Sequence, residues 1–481
     1  MNEFTLLSEE ETLEASEGIL VLGLGSFSFS SVETDSRNVK KDTFFVPLIG
    51  EFQDGHKYIP QAVEKGASCV FISREAYEKD SEFFVDCWRK NEQVKYIVVE
   101  NTLTALQNIA EKYVSKFPEL IKLAVTGSSG KTTSKEMLYS LLSQKYKVVC
   151  NKGNFNSETG LPLSVFNIRK GDELGLFEMG MNRKNEIAEI SKVLKAKYAL
   201  VTNIGTAHIG ILGSRENIAE EKSNVFNYIG EDKKNPGIAF IPKDDDFCDF
   251  LTKKAENVGG KIIYYGKNCD SSITNVKNLG LKGTDFCIDG FKAHLSLPGE
   301  YNFINMTGAV AVAKALGVSS EKIAEGVNNL KPMFGRSQIL EGKYTVVQDC
   351  YNANPDSMEK AVEFMSSVPA EKGCKKVFVL GDMLELGKDS ETEHRKLGTL
   401  CAKSDADIVI FAGKETESSF EAAKSALFKG KLFFFAGNDD ETIKDIAACI
   451  KENAPSESSI LIKASRGLKL ERISEIILKE E

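Results

Sequence analysis

The chain has 481 residues, of which 42% are hydrophobic and 27% charged, and its formal net charge is −9. At roughly 100–200 residues per domain, this length predicts about three domains. The acidic balance argues against nucleic acid or an anionic membrane as the main partner, because both favour basic surfaces. No run approaches the roughly 18 apolar residues of a membrane span, and the chain starts acidic rather than with the basic stretch of a secretory signal. We therefore predict a cytoplasmic protein with no nucleic-acid partner and no membrane span.

Apolar strand-like runs alternate with amphipathic helix-length segments along the whole chain, which predicts an α/β fold with mostly parallel sheets. The clearest runs are residues 123–125, 176–178, 199–201, 377–380 and 408–411. We place domain boundaries before a helix-like segment at residues 105–117 and at a Pro- and Gly-containing hinge at residues 330–335. The predicted domains are residues 1–103, 104–331 and 332–481. The ten cysteines form no C-x-x-C pair, so their spacing predicts neither a zinc site nor a disulfide framework.

Residues 127–133, GSSGKTT, lie between a predicted strand and a predicted helix, and we call them the phosphate loop. Glycines let the backbone turn its N–H groups inward, and the new helix presents its positive end to phosphate. Lys131 would reach the β- and γ-phosphates of ATP, and the Thr132 hydroxyl would bind Mg²⁺. The standard spacing requires glycine where Val125 stands, so this is a shortened variant. The alternative is a glycine turn that only connects strand to helix.

Two polar residues follow the next predicted strands and point to a metal site at the same sheet edge. Glu178 ends a strand, where an acid can hold Mg²⁺ directly or through water. His208 lies in a glycine-rich loop predicted at residues 203–210, and we call the part up to the histidine, residues 203–208, the histidine loop. Each has an ordinary alternative, an exposed strand-end charge for the glutamate and a structural role for the histidine. Lys222 follows in a predicted helix, and its spacing alone indicates only a solvated charge.

These segments together resemble the Mur ligases, the ATP-dependent amide-forming enzymes of peptidoglycan synthesis. The resemblance spans nearly the whole chain. The segments that carry it are residues 34–37 (TDSR), 44–48 (FFVPL), 50–56 (GEFQDGH), the phosphate loop, residues 178–180 (EMG), the histidine loop, residues 299–305 (GEYNFIN) and 334–336 (FGR). It implies a UDP-sugar-binding N-terminal domain, a central P-loop ATP-binding domain with a parallel sheet, and a C-terminal Rossmann-like domain that closes on ATP.

Three further segments resemble the branch of the family that joins D-alanyl-D-alanine to UDP-N-acetylmuramoyl-tripeptide. They are residues 348–355 (QDCYNANP), 380–387 (LGDMLELG) and 463–467 (KASRG). The resemblance implies a reaction through an acyl phosphate that consumes ATP. The other branches carry different sequences at the first of these places.

The resemblance also implies roles for individual residues. Lys222 matches a lysine that the family carbamylates with CO₂, which turns a cation into an anion able to bind a second Mg²⁺ together with His208. Arg336 would contact the γ-phosphate, and Asp349 the ribose. The remaining assignments are the nucleotide-binding residues Gly127, Ser128, Ser129, Gly130, Lys131, Thr132, Thr133, Asn302 and Asn305, the metal ligands Thr132, Glu178, His208 and Lys222, the UDP-sugar contacts Asp35, Ser36 and Arg37, and the D-alanyl-D-alanine contacts Asn352, Asn354 and Asp382.

The chain departs from the family pattern at two places. Tyr301 stands where the family usually has His, so the adenine contact is expected to differ there. Residues 241–245, IPKDD, replace the usual Asn-x-Asp-Asp. Neither departure falls on a predicted phosphate or metal residue.

Two other functions remain open at this point. A sibling Mur ligase would add the third amino acid, or glutamate, on the same scaffold, and residues 351–355 argue against it. A nucleotide-sensing or scaffold protein would carry a vestigial phosphate loop, and the intact Lys131, Glu178 and His208 argue against that. We expect a monomer, and the identity of the third residue of the tripeptide stays open.

Overall fold

The computed structural model describes residues 5–23, 25–50, 53–369 and 373–479. Glu51 and Phe52, in the predicted N-terminal motif, lie outside the described residues. The chain forms two compact units, one comprising Met1–Ala124, Lys147–Tyr198 and Asn224–Asp232, and the other comprising Val125–Tyr146, Ala199–Ser223 and Lys233–Glu481. Among the described helices, none has the length and apolarity that crossing a membrane requires.

The N-terminal part is a five-stranded sheet in the order β1-β5-β4-β3-β2. Strands β2 to β5 pair in parallel, and β1 pairs with β5 in antiparallel fashion. Side chains such as Phe45, Val70 and Tyr96 form its buried core. Its elements are α1 (Glu9–Ser16), β1 (Ile19–Leu22), β2 (Ser31–Glu33), β3 (Thr43–Phe45), α2 (Ile59–Glu64), β4 (Ala67–Ser73), α3 (Arg74–Lys79), α4 (Ser81–Lys90), β5 (Lys95–Val99) and α5 (Thr102–Ser115).

A boundary predicted after residue 103 would fall inside the first turn of α5. The Asn101 side chain caps this helix by accepting a hydrogen bond from Thr104 N at 2.9 Å, which fixes its start two residues before that boundary. The domain limits therefore stay a prediction.

The central sheet has six strands in the order β11-β10-β9-β6-β8-β7. The strand before the phosphate loop is present as predicted. The helix predicted at residues 134–142 is also present, but it begins three residues earlier, at Lys131. The elements are β6 (Ile121–Thr126), α6 (Lys131–Leu142), β7 (Val148–Cys150), α7 (Gly160–Val165), β8 (Leu174–Glu178), α8 (Glu186–Leu194), β9 (Tyr198–Val201), α9 (Ile209–Leu212), α10 (Arg215–Ser223), β10 (Ile238–Pro242), α11 (Cys248–Asn257) and β11 (Lys261–Tyr265).

A small antiparallel sheet in the order β12-β13-β14 follows, and two helices lead on from it. These elements are β12 (Ile273–Asn278), β13 (Thr284–Ile288), β14 (Phe291–Leu295), α12 (Glu300–Ala315) and α13 (Ser320–Asn328). Helix α12 carries both predicted nucleotide-binding asparagines.

The C-terminal part is a six-stranded sheet in the order β15-β16-β20-β17-β18-β19, parallel except for β15. Buried clusters on its two faces hold helices on both sides, as in a doubly wound fold. The elements are β15 (Gln338–Glu341), β16 (Thr345–Asp349), α14 (Pro355–Ser367), β17 (Lys376–Gly381), α15 (Ser390–Lys403), β18 (Ile408–Ala412), α16 (Glu417–Ser425), β19 (Lys431–Phe435), α17 (Asp440–Asn453), β20 (Ser459–Lys463) and α18 (Glu471–Ile477). The three C-terminal sequence motifs follow the carboxyl ends of β16, β17 and β20, which are neighbours in this sheet.

Candidate active site

The phosphate loop turns tightly after β6 and continues into the first turn of α6. Gly127 has φ +149°, and a Cβ there would lie 1.8 Å from Thr202 Oγ1, so only glycine fits. Gly130 has φ +80° and packs against the Asn305 amide. Lys131 Nζ donates to the Gly127 carbonyl oxygen at 2.9 Å. The loop thus brings its lysine and the start of α6 to one place, the arrangement that binds phosphate in proteins.

The histidine loop is hydrogen-bonded directly to the phosphate loop. The Asn203 side chain accepts from Ser129 N at 3.1 Å and donates to Ser129 O at 2.8 Å. Gly205 N donates to Ser128 Oγ at 2.8 Å. These contacts place two segments that are far apart in sequence side by side, as the strand order predicts.

His208 is largely buried beside two lysines and has a left-handed backbone with φ +65°. Burial, together with the charges of Lys131 and Lys222, lowers the pKa of His208 to about 3. The imidazole is therefore neutral near pH 7, the form that binds metals. Its Nδ1 is 3.7 Å from Glu385 Oε2, too long for a hydrogen bond.

Lys222 is fully buried, with 0% of its surface exposed. The interpretation of its helical spacing as a solvated charge is therefore wrong. That interpretation fails because α10 buries the face that carries Ile218, Ala219 and Lys222. The charge of Lys222 affects the pKa of His208, so the two side chains lie close enough to interact.

Glu178 ends β8 and is also buried, at 2% exposure. Asn156 Nδ2 donates to its Oε1 at 2.6 Å. The Asn151 side chain accepts from Glu178 N at 3.0 Å and donates to Glu178 O at 3.0 Å. Glu178 is therefore a braced carboxylate and not the exposed strand-end charge considered above.

Arg336 and Asp349 belong to a connected set at the start of the C-terminal part. The Arg336 guanidinium lies 4.0 Å from the centre of the Tyr351 ring, in cation–π geometry. Asp349 Oδ2 accepts from buried Lys463 Nζ at 2.6 Å, and its Oδ1 accepts from Ser337 N at 3.1 Å. Lys463, the first residue of the KASRG segment, therefore holds the carboxylate predicted to bind the ribose.

The two asparagines of α12, Asn302 and Asn305, are buried. Tyr301, which stands where the family usually has His, lies next to Asn302 in the same helix. Asn302 Nδ2 donates to the Pro298 carbonyl oxygen at 2.7 Å. Tyr301 forms a 2.9 Å hydrogen bond with Ser337 Oγ, and burial raises the pKa of its phenol. Tyr301 thus links α12 to the residue beside Arg336.

The three residues predicted to contact D-alanyl-D-alanine differ in their surroundings. Asn352 is exposed. Asn354 caps α14 and also donates through Nδ2 to Ser129 Oγ at 3.1 Å. Asp382 is buried, which raises the pKa of its carboxyl to about 6, and it accepts from Thr416 N at 3.0 Å. The carboxylate of Asp382 therefore organises the loop after β18.

The predicted UDP-sugar contacts lie after β2, in the N-terminal part. Arg37 is 80% exposed and pairs with Asp35 at 2.7 Å. The hydrogen bond from the Arg37 side chain lowers the pKa of Asp35 to about 2. Ser36 is buried and donates to Gln61 Oε1 at 2.6 Å. Arg37 is thus a preoriented, exposed guanidinium of the kind that binds phosphate.

Three models of known domain families match the chain in sequence order. They are the "Mur ligase family, catalytic domain" at residues 28–114, the "Mur ligase middle domain" at residues 125–313 and the "Mur ligase, glutamate ligase domain" at residues 335–466. The UDP-N-acetylmuramoyl-tripeptide–D-alanyl-D-alanine ligase of Treponema pallidum is 37% identical over 99% of this chain and 100% of its own length. The chain belongs to the Mur ligase family. The ligase of the same name from Bacillus subtilis is 34% identical over 92% of each chain.

Solved structures of Mur ligases agree with this assignment. A crystal structure of MurF from Acinetobacter baumannii superposes with a TM-score of 0.84 at 28% identity, over 98% of both chains. MurF ligase from Thermotoga maritima in complex with ADP has a TM-score of 0.76 at 28% identity, over 94% of this chain and 97% of that one. The predicted three-domain α/β fold class is confirmed.

Sequence reasoning missed several residues that hold individual predicted site residues and loops in place. They carry no chemical signature of their own, and their partners are distant in sequence. The hydrogen bonds identify them as Asn151, Asn156, Asn203, Asp245, Asp356 and Lys463.

Proposed function

We propose that this Mur ligase joins D-alanyl-D-alanine to the terminal carboxylate of UDP-N-acetylmuramoyl-tripeptide, with ATP converted to ADP and phosphate. The observation that carries the proposal is the direct bonding of the phosphate loop to the YNANP segment, through Asn354 and Ser129. That segment distinguishes this branch from its siblings in the sequence. We place the reaction in the cytoplasm, where ATP is available, and expect a monomer.

The chemistry requires activation because a free carboxylate has no adequate leaving group. The γ-phosphoryl group of ATP passes to the tripeptide carboxylate and gives an acyl phosphate and ADP. The free amine of the dipeptide then attacks the acyl carbon, and phosphate leaves as the amide forms and the amine loses its proton. Such a transfer depends on positioning and charge neutralisation more than on a nucleophilic side chain. Lys131 and Arg336 supply that charge, and Asn302, Asn305 and Asp349 hold the nucleotide.

The predicted metal ligands Thr132, Glu178 and His208 are suited to holding magnesium. Mg²⁺ prefers oxygen ligands and keeps several waters, so few protein ligands suffice. Thr132 and Glu178 offer oxygens, and His208 is neutral. Within the described ranges, no three His, Cys, Asp or Glu side chains form a ready-made metal cage. When bound, two Mg²⁺ ions would offset the repulsion between ATP and the substrate carboxylate.

We further propose that Lys222 carries a carbamate. The neutral amine adds CO₂ and releases a proton, which leaves an anion in place of a cation. Lys222 is fully buried and lies close enough to His208 for its charge to affect that residue, which is predicted to bind the same metal ion. A carbamate there would be compensated by the metal that it helps to bind.

Asn156→Ala is expected to raise the Mg²⁺ concentration needed for half-maximal activity by about 10–100-fold, because it removes the hydrogen bond that orients Glu178. The measurement is a magnesium titration of phosphate release. Asn154→Ala, at an exposed neighbour, is the matched control. An unchanged titration in Asn156→Ala would refute the role of Glu178 in metal binding.

The choice of acceptor is tested with a panel of substrates. With ATP and UDP-N-acetylmuramoyl-tripeptide present, D-alanyl-D-alanine should stimulate phosphate release. With the corresponding UDP-dipeptide, neither meso-diaminopimelate, lysine nor glutamate should do so. If a single amino acid stimulates phosphate release and D-alanyl-D-alanine does not, the result would favour a sibling ligase. No stimulated hydrolysis by any of them would favour the scaffold function.

A further inference from the structure

Three consecutive backbone N–H groups of the histidine loop are each held by a different side chain. Ile204 N donates to Asp245 Oδ2 at 2.9 Å, and Gly205 N donates to Ser128 Oγ at 2.8 Å. Thr206 N donates to Asp356 Oδ2, which also accepts from Thr206 Oγ1 at 2.7 Å. Two of these anchors lie close to the central sheet, whereas Asp356 comes from the first turn of α14 in the C-terminal part.

Asp356 approaches position 205 so closely that a larger residue there would have to displace its carboxylate. A Cβ on Gly205 would lie 2.2 Å from Asp356 Oδ2 and 3.4 Å from Ser128 Cβ. Gly210 shows the same relation to another C-terminal segment, since its Cβ would lie 2.8 Å from the Leu386 carbonyl oxygen. Gly205 and Gly210, on either side of His208, therefore both lie against residues of the C-terminal part.

The first turn of α14 also reaches the phosphate loop. Asn354, the residue that caps the helix, donates to Ser129 Oγ at 3.1 Å. Asp356 follows two residues later, where the helix dipole stabilises a carboxylate, and its bonds from Thr206 are charge-assisted. The first turn of α14 thus contacts both the phosphate loop and the histidine loop. Asp356 and its partner Thr206 are 150 residues apart in the sequence.

We propose that Asp356 is a positioning residue of the ligase, which fixes the histidine loop, and with it His208, relative to the phosphate loop. The role rests on the proposed function for its effect on turnover, but the structural effect does not depend on it. Because Asp356 belongs to the C-terminal part, that part supplies a direct contact to the loop that ends at His208.

The test compares Asp356→Asn, Asp356→Ala, Thr206→Val and the double variant Asp356→Ala/Thr206→Val with the native chain. Glu441→Gln is the matched control, because it removes an exposed acid from the first turn of α17. Asp356→Ala is expected to lower kcat by about 10²-fold with the KM for the UDP-sugar little changed, the loss typical of a misplaced site. Asp356→Asn, which keeps an acceptor oxygen, should lose less. Thr206→Val should also lose less, and the double variant should be no worse than Asp356→Ala.

A kcat of Asp356→Ala equal to that of the control would overturn the proposal, as would losses that multiply in the double variant. If Asp356→Ala shows no cooperative thermal unfolding, the two volume-conserving variants decide, with reduced kcat at unchanged Tm expected. Amide hydrogen exchange of residues 203–208 should be faster in Asp356→Asn than in Glu441→Gln, and equal exchange would also overturn the proposal. This readout needs no substrate, so an inactive native chain would reject the proposed function alone.

Discussion

Replacing Lys131 by alanine is expected to reduce ATP-dependent turnover by on the order of 10³-fold, the loss typical of removing one preorganised charge from a transferring phosphoryl group. Lys131 Nζ already lies within the phosphate loop, 2.9 Å from the Gly127 carbonyl oxygen. The lysine side chain is only partly buried, so the thermal unfolding midpoint should stay close to that of the native chain. Turnover is measured as ADP release with both substrates present.

The control for this variant is Lys253→Ala, which removes an exposed lysine from α11 and should leave turnover unchanged. Comparing turnover in Lys131→Ala and Lys253→Ala separates the effect of losing a charge in the phosphate loop from the effect of changing the net charge. Normal turnover in Lys131→Ala would contradict the assignment of the phosphate loop to ATP.

Lys222→Ala is expected to be inactive and to regain part of its activity in the presence of a short carboxylic acid such as acetate. The substitution empties the place of a fully buried side chain, and the acid would restore the missing anion in the space that is left. The expected loss is also about 10³-fold, because the second metal would lose an anionic ligand. Turnover is measured as phosphate release against acetate concentration.

Lys222→Arg is a second test variant, because arginine keeps the positive charge but stays protonated and so does not form a carbamate. It should be inactive, and acetate should not rescue it, since no space is freed. Thermal unfolding of both variants checks that the buried substitution leaves the fold intact. Full activity of either variant without acid would show that no carbamate is needed at this position.

Local sequence patterns predicted the elements of the central sheet well. The strand before the phosphate loop, the helix after it and the strand that ends at Glu178 are all present, because each combines a clear hydrophobic run with a glycine or polar boundary. The same patterns failed for Lys222, whose burial depends on what packs against α10. Helical spacing identifies a face but does not say which face another element covers.

The supporting residues of the site could not be predicted for a related reason. Asp356 directly follows the YNANP segment and was not singled out from the sequence, because nothing local links it to Thr206. Its role follows from the tertiary arrangement, which brings α14 to the histidine loop. Asn156 and Lys463 are similar, because each acts on a predicted residue through a single hydrogen bond across the fold. The residues with a direct chemical role could thus be predicted from the sequence, whereas the residues that hold them in place by hydrogen bonds could not.

The most direct test of the acyl phosphate follows one oxygen atom. UDP-N-acetylmuramoyl-tripeptide labelled with ¹⁸O in its terminal carboxylate is incubated with ATP, Mg²⁺, D-alanyl-D-alanine and the native chain, and the products are analysed by mass spectrometry. The account predicts one labelled oxygen in each phosphate released, with an equal amount of UDP-N-acetylmuramoyl-pentapeptide. Phosphate without label, or ADP formed without the pentapeptide product, would contradict it.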